Sequence, residues 1–430
     1  MESIWTKSAQ RPHFDTLKGD IKTDVLVIGG GMAGILCVYM LKNAGVNCVL
    51  AEAEKICGGT TENTTAKITF QHGLIYDKII RKYGAEKAQL YYKSQNEALE
   101  KYRSLCSRID CDFEISDSFV YSLDDREKLE REAAAMDKIG CNAYFVEKLS
   151  LPFGVAGAVR VEKQAQFNPL KFAFHISENL PIYENTRVLR LDAEGAVTQN
   201  GRIEAQKIIV ATHFPFINKH GGYFAKMYQH RSYVIALENA PEVKGMYVDE
   251  AEDGLSFRSY KNLMILGGGG HRTGKHGGTW HELREFARVN YPSAIEKHNW
   301  ATQDCMTLDS IAYIGKYSKR MPSVYVATGF NKWGMTNSMA AAQILTDLVQ
   351  GKENEYEALY SSSRNIWHPQ LAINTASALI NMVTPTVPRC PHMGCALKYN
   401  IYEHSWDCPC HGSRFSENGE LINNPATKGL

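Results

Sequence analysis

The sequence lacks any apolar run long enough to cross a bilayer. Its opening stretch, MESIWTKSAQRPHFDTLKGD, has neither an apolar signal region nor a twin arginine, so a cytoplasmic protein without a transmembrane segment is expected. Net charge is nearly absent too. The 48 Lys and Arg against 47 Asp and Glu leave a formal +1, which gives no electrostatic reason to expect nucleic acid or an anionic membrane as partner. Repeats and low-complexity tracts are missing. What remains is a soluble globular composition, 44% hydrophobic and 22% charged, over 430 residues: too long for one core and enough for two or three domains. The 11 cysteines are unevenly spread. Seven are scattered through the first 305 residues, as thiols in a reducing compartment would be, and four crowd between Cys390 and Cys410.

The chain is organised around residues 24–52, DVLVIGGGMAGILCVYMLKNAGVNCVLAE. An apolar run, Val25 to Ile28, suits a buried parallel strand. Gly29, Gly31 and Gly34 follow in the G-x-G-x-x-G pattern and lead into an apolar-periodic helix that Gly45 can stop. A second strand then ends on Glu52. The first glycine permits the tight turn, the second lets a pyrophosphate approach the backbone, and the third lets helix pack on strand. The helix N-terminus offers N–H donors and positive dipole to phosphate. Glu52 stands where a carboxylate can take ribose hydroxyls. The bland alternative is a tight strand–helix turn with no ligand; strand, helix, second strand and acid in register favour a dinucleotide.

Residues 1–20 read as an arm laid on the surface. After the dinucleotide unit, Lys55–Gly73 (KICGGTTENTTAKITFQHG) is an extended loop whose Thr60 and Thr61 can line a cofactor. Its Lys67 is either a surface charge or a group near a redox ring. Residues 77–109 are helical, with Ala88, Tyr91, Gln95, Leu99 and Tyr102 on one face. Phe113–Leu123 reads as strand, and Asp124-Asp125 caps a second helix stopped by Gly140. Gly154–Gly201 returns to the first domain, with a helix after Phe167-Asn168-Pro169 and a turn at Asn200-Gly201 before the strand 207–211. Residues 223–270 form an antiparallel sheet, the floor of a substrate cavity. Gly267–Gly270 then run into His271, Arg272 and Lys275, either a flexible basic loop or a site wall facing an anionic or carbonyl group. Strand 324–327, a loop to Trp333 and a helix capped by Thr336 or Asn337 make another place where amides point at a ligand. A weakly apolar helix (Leu371–Val383) and a proline-punctuated linker follow.

Residues 390–395 (CPHMGC) and 408–413 (CPCHGS) offer thiolate and imidazole on two loops, a metal site. Zinc is possible in principle, but C-x-H-x-x-C paired with C-x-C-H is a poor match to zinc-finger spacing. The two loops closely resemble those of Rieske [2Fe–2S] proteins. That resemblance implies Cys390 and Cys408 on one iron, His392 and His411 on the other. It also implies a Cys395–Cys410 disulfide tying the loops together. Family members usually carry several strands before the first loop. Here a linker precedes Cys390, so the base of the module is reduced or supplied by the preceding domain. High-potential members share Ser413 but carry a tyrosine two residues on. Phe415 has the ring without the donor, which implies an intermediate potential.

Over essentially the whole chain the sequence resembles flavoproteins of the glycine/sarcosine-oxidase or D-amino-acid-dehydrogenase type with a C-terminal Rieske module. The resemblance rests on Gly29–Glu52, TTAKITFQHG, VATHFPF at 210–216, YIG at 313–315 and ATGFNKWGMTNSMAAA at 327–342. It implies FAD rather than NAD. The implied fold is α/β: a discontinuous Rossmann-type FAD domain (20–75, 150–215, 302–352) interleaved with an α+β substrate domain (76–149, 216–301). A helical linker (353–386) and a small, mostly β Rieske module (387–430) follow. It adds Gly329, Gly334, Met335 and Thr336 to the FAD contacts, and Lys67, His271 and Arg272 as catalytic candidates. Thr336 stands where relatives place a basic residue for the substrate carboxylate. The expected function is oxidation of an amine or amino-acid C–N bond by hydride transfer to flavin, then single electrons to the cluster and an external acceptor. Two alternatives are a flavin reductase or oxygenase fed through the cluster, and a non-enzymatic redox carrier or sensor.

Overall fold

The computed structural model describes residues 2–192, 194–217, 220–275, 277–364, 381, 384–385 and 388–430. The weakly apolar helix expected at 371–383 lies almost wholly outside them. Two large sheets and one small one make up the described chain.

The first sheet is built on Ile21–Ile28. It pairs in parallel with Cys48–Ala51 on one side and Arg202–Val210 on the other, and the latter pairs with Met321–Thr328. Tyr313–Ser318 closes one edge antiparallel. The central strand reads as a continuous apolar run because helices cover the sheet; Leu26 and Val27 are fully buried. The helices Met32–Asn43 and Gly334–Val349 pack on each other. Gly45, at φ 76°, ends the turn after the first of them. The N-terminal arm is more than a surface strap: Trp5 is fully buried and its Nε1 donates to Thr64 O.

The second sheet has nine strands. Its order runs Ile295–Thr307, Met227–Glu238, Leu263–Arg272, Ser256–Tyr260, Met246–Asp249, Glu114–Ser122, Gly157–Gln166, Lys67–Ile68, with Tyr144–Val146 beside Gly157–Gln166. Three strands depart from the expected division. Gly157–Gln166 and Lys67–Ile68, expected with the dinucleotide unit, pair here, and Ile295–Thr307 runs across the 301/302 boundary. Apolar alternation marks a strand but not the sheet that receives it.

The 77–109 helix is two, Tyr76–Tyr83 and Ala85–Cys106, divided at Gly84 with φ 88°. Asp125 caps Arg126–Lys138, its side chain accepting from Lys128 N. From that helix the fully buried Glu132 accepts the N–H groups of Tyr76 and Asp77 at 2.8 Å, pinning the start of the first helix. Burial pushes its carboxyl up to about 7, against those two bonds.

The third sheet is a four-stranded antiparallel ribbon: Lys398–Asn400, Ser405–Asp407, Arg414–Ser416 and Leu421–Asn423. Its core is small, with Leu397, Phe415 and Ala426 around the four cysteines. No helix among the described residues is long and apolar enough to cross a membrane.

Candidate active site and metal centre

The glycine fingerprint faces a cavity of about 540 Å³. A Cβ on Gly34 would stand 1.9 Å from Gly29 O, and one on Gly29, at φ 107°, 2.7 Å from Ala211 O; packing alone forbids side chains there. Gly31 differs. Its nearest neighbour would be Thr61 Oγ1 at 3.5 Å, and it lines the cavity, so what its missing side chain leaves clear is room for a ligand. Glu52 also lines the cavity and is held by main-chain N–H groups, Gly30 at 2.6 Å and Glu54 at 2.9 Å. Burial raises its pKa. Thr61 Oγ1 accepts from Met32 N, and Thr60 Oγ1 donates to Gln303 O. From the far side Gly329, Gly334, Met335 and Ser338 close the cavity with the start of helix Gly334–Val349. This cradle of glycines, helix start and buried carboxylate fits FAD.

Thr336 does not face the cavity. It is 1% exposed and bonds to Thr69 O at 3.0 Å and His72 Nε2 at 2.9 Å. The helix begins at Gly334 after Trp333 with no side-chain cap, so Thr336 and Asn337 lie inside it rather than capping it. Lys67 does line the cavity, its Nζ on Thr65 Oγ1 at 3.1 Å. Burial, then the neighbouring Arg258, brings it down to about 7. Arg258 donates to Thr65 O and Ala66 O, fixing this loop.

Residues without a sequence signal complete the wall. On Ile295–Thr307, Thr302, Asp304 and Met306 face the cavity. Burial raises Asp304 to about 6, against Lys332 and Arg231. Lys332 donates to Glu252 O at 2.9 Å, and burial lowers its pKa. His72 stacks on Trp333 at 5.1 Å and meets Tyr91 Oη at 2.6 Å; burial lowers it to about 3. It is neutral at any working pH.

The metal centre lies against the same sheet, where Gln229 and Gln303 bond its second loop. Cys390, Cys408 and His411 are buried, and the rings of His392 and His411 meet edge to face at 5.0 Å. Cys408, then main-chain N–H groups of His392 and Met393 and the Ser413 hydroxyl, bring Cys390 down to about 7 against burial. His411 Nδ1 is buried without a hydrogen-bond partner. Two thiols, two imidazoles and an orphaned ring nitrogen fit a [2Fe–2S] cluster. Cys395 and Cys410, the pair the resemblance joins, bring their sulfurs within 4.8 Å of each other and of Cys408 Sγ.

Buried polar contacts seat the ribbon on the sheet. Arg231 and Tyr233 of one central strand reach Glu403, which also takes Arg414 at 2.9 Å; Arg414 in turn holds Asp407 at 2.9 Å. Burial works to raise Glu403, but the two arginines hold it below the usual carboxylate range. Asn424 Nδ2 donates to Thr212 O and Phe214 O. His271 and Arg272 belong here and not to the cavity wall. His271 sits opposite Arg231 in register, so it follows that residue's face and stacks on Tyr233 at 5.7 Å. Arg272 bonds to Cys410 O at 3.3 Å and covers the Tyr228 ring.

The family model for FAD dependent oxidoreductases (DAO) matches residues 24–348, and that for the Rieske [2Fe-2S] domain matches 361–430. The chain belongs to the DAO family of FAD-dependent oxidoreductases. It is an enzyme fold that binds FAD, joined to a domain that binds a [2Fe–2S] cluster. One relative is "Putative Rieske 2Fe-2S iron-sulfur protein YhfW" of Bacillus subtilis (strain 168), 34% identical over all of this chain and 97% of that one. Gamma-glutamylputrescine oxidoreductase of Escherichia coli (strain K12) is 23% identical over 83% of this chain and 90% of its own. The solved structure of L-proline dehydrogenase from P. horikoshii shares the fold at TM-score 0.68 and 18% identity, over 81% of this chain and 98% of that one.

Proposed function

We propose that this DAO-family oxidoreductase is a dehydrogenase that oxidises the C–N bond of an amine or amino acid and passes the electrons singly through its cluster to an external acceptor. One observation carries the reading. Asn423, Asn424, Ala426 and Thr427 of the Rieske module form part of the wall of the flavin cavity. A module built only to bind elsewhere has no reason to close that cavity. FAD supplies acceptance of a hydride, and the cluster supplies one-electron carriage. A substrate nitrogen entering beside the nine-stranded sheet meets Asp304, a carboxylate above about pH 6, and Lys67, a neutral amine above about pH 7. Asp304 attracts the ammonium form, and Lys67 Nζ takes the proton that must leave before hydride transfer. His72, neutral and stacked on Trp333, keeps that wall rigid and dry. With Thr336 turned away, Lys332 is a cation of the wall available to a substrate carboxylate. The seven buried cysteines outside the metal loops suit a cytoplasmic setting.

The test is anaerobic reduction of the holoprotein by a panel of amines and amino acids, read at the flavin band and by the cluster's electron paramagnetic resonance. Reduction of both centres by one class of amine is expected. Flavin reduction only from the cluster side would reverse the proposed flow, and no reduction by any amine would contradict an amine dehydrogenase.

A further inference from the structure

Between the flavin cavity and the metal-binding loop stands a short run of side chains, none of them a cluster ligand. His213 follows the strand Arg202–Val210 and lines the cavity. It holds φ 67°, a left-handed conformation that non-glycine residues adopt at a cost, and its carbonyl accepts from Thr328 Oγ1. Its Nε2 is buried with no hydrogen-bond partner, and the main chain on either side of it, Thr212 O and Phe214 O, accepts from Asn424 Nδ2. Strain and an orphaned ring nitrogen at one cavity residue mark a group held ready for something bound there.

Gln229 carries the tie onward. It is 1% exposed; its Nε2 donates to His411 O at 2.9 Å and Asn424 O at 3.0 Å, and its Oε1 accepts from Gln303 Nε2 at 2.5 Å. Gln303 also donates to Gly412 O at 2.8 Å. A Cβ on Gly412, at φ 81°, would stand 2.6 Å from Gln229 Cβ, so the loop's main chain lies directly on the glutamine. From the main chain flanking His213 to that of the ligand His411 the bonds run through Asn424 and the side chain of Gln229.

Building on the dehydrogenase reading, we infer that His213 and Gln229 couple the two cofactor sites, with Gln229 the positioning residue that fixes His411 against the flavin side. Two single-electron steps and one released proton balance the transfer, with a one-electron acceptor reoxidising the cluster between them.

The experiment uses the full-length holoprotein and its Gln229→Met and His213→Leu variants. A laser flash with a deazaflavin donor reduces the flavin, and the cluster's absorbance reports arrival of the electron; resonance spectra and iron and FAD content are recorded alongside. Both variants are expected to keep FAD and iron and to slow flavin-to-cluster transfer about tenfold or more. If Gln229→Met loses iron, His213→Leu decides, because its side chain is one residue removed from the Rieske module. Transfer within about twofold of wild type in His213→Leu overturns the inference. A wild-type protein whose flavin never delivers an electron to the cluster sinks the dehydrogenase reading itself, and the inference with it.

Discussion

The two cofactor sites are held by opposite means. The flavin side is built from main chain: glycines with no room for a side chain, two helix starts, and strands buried in a broad apolar core. The cluster side is built from side chains. Its ribbon has a core of a few residues and is seated by a buried run of charged side chains, Arg231–Glu403–Arg414–Asp407, whose first member lies outside the ribbon. A small module with few apolar contacts gains a fixed position from buried ion pairs, and a pair of that kind is far more sensitive to the loss of one member than to replacement of the whole. Damage to the seat is therefore expected to reach the cluster and leave the flavin in place.

The largest effect expected is that of Cys408→Ser. It should remove all iron and the cluster's visible bands while FAD stays bound, checked by metal analysis and flavin absorbance; loss of both cofactors would erase the contrast. Next is Arg231→Met, which leaves Glu403 with one buried arginine in place of two. About 3–5 kcal/mol is lost from the seating of the ribbon. Calorimetry should show an earlier, separate transition carrying cluster loss, with the flavin transition unmoved.

The flavin side has its own signature in pH. Glu132 ordinarily titrates near 4.5 and is raised to about 7 in the fold. Between those values the folded protein keeps a proton that the unfolded chain releases, so stability falls as pH rises from about 4.5 to about 7 and is level above. The drop is on the order of 3 kcal/mol. Glu132→Gln cannot ionise and should flatten it, read by urea unfolding at pH 5 and 7.5, with the cluster spectrum unchanged. An identical slope in the variant would place the titration elsewhere. Glu52→Ala should weaken FAD retention by about 1.5–3 kcal/mol, measured by dialysis, without touching iron content. Smallest is Phe415→Tyr. Phe415 is fully buried among the cysteines, and a phenol donor there favours the more negative, reduced cluster, so the potential should rise in a redox titration.

The same contrast sets what could be read from sequence. Strand, glycine turn, helix and Glu52 are local, and each falls where the pattern puts it. The ligand loops are local too, and their donors converge. Sheet membership is not local: Gly157–Gln166 carries the alternation of any half-buried strand, and its place beside Glu114–Ser122 comes from a partner some forty residues away. Nor is the seat. His271 and Arg272 follow a glycine run and look like a site wall, yet register with Arg231 turns His271 toward the ribbon, and Arg272 reaches Cys410 O. Gln229, Gln303, Asp304 and His213 sit in unremarkable strands and loops. Only their meeting place, where the nine-stranded sheet, the cavity wall and the ribbon converge, gives them roles.

The central claim is that electrons pass from the flavin cavity to the cluster. The most direct measurement is one-equivalent anaerobic photoreduction of the holoprotein, with flavin absorbance and cluster resonance followed together. The first electron should appear at the cluster while the flavin returns to its oxidised spectrum. A flavin that stays reduced beside an oxidised cluster would contradict it.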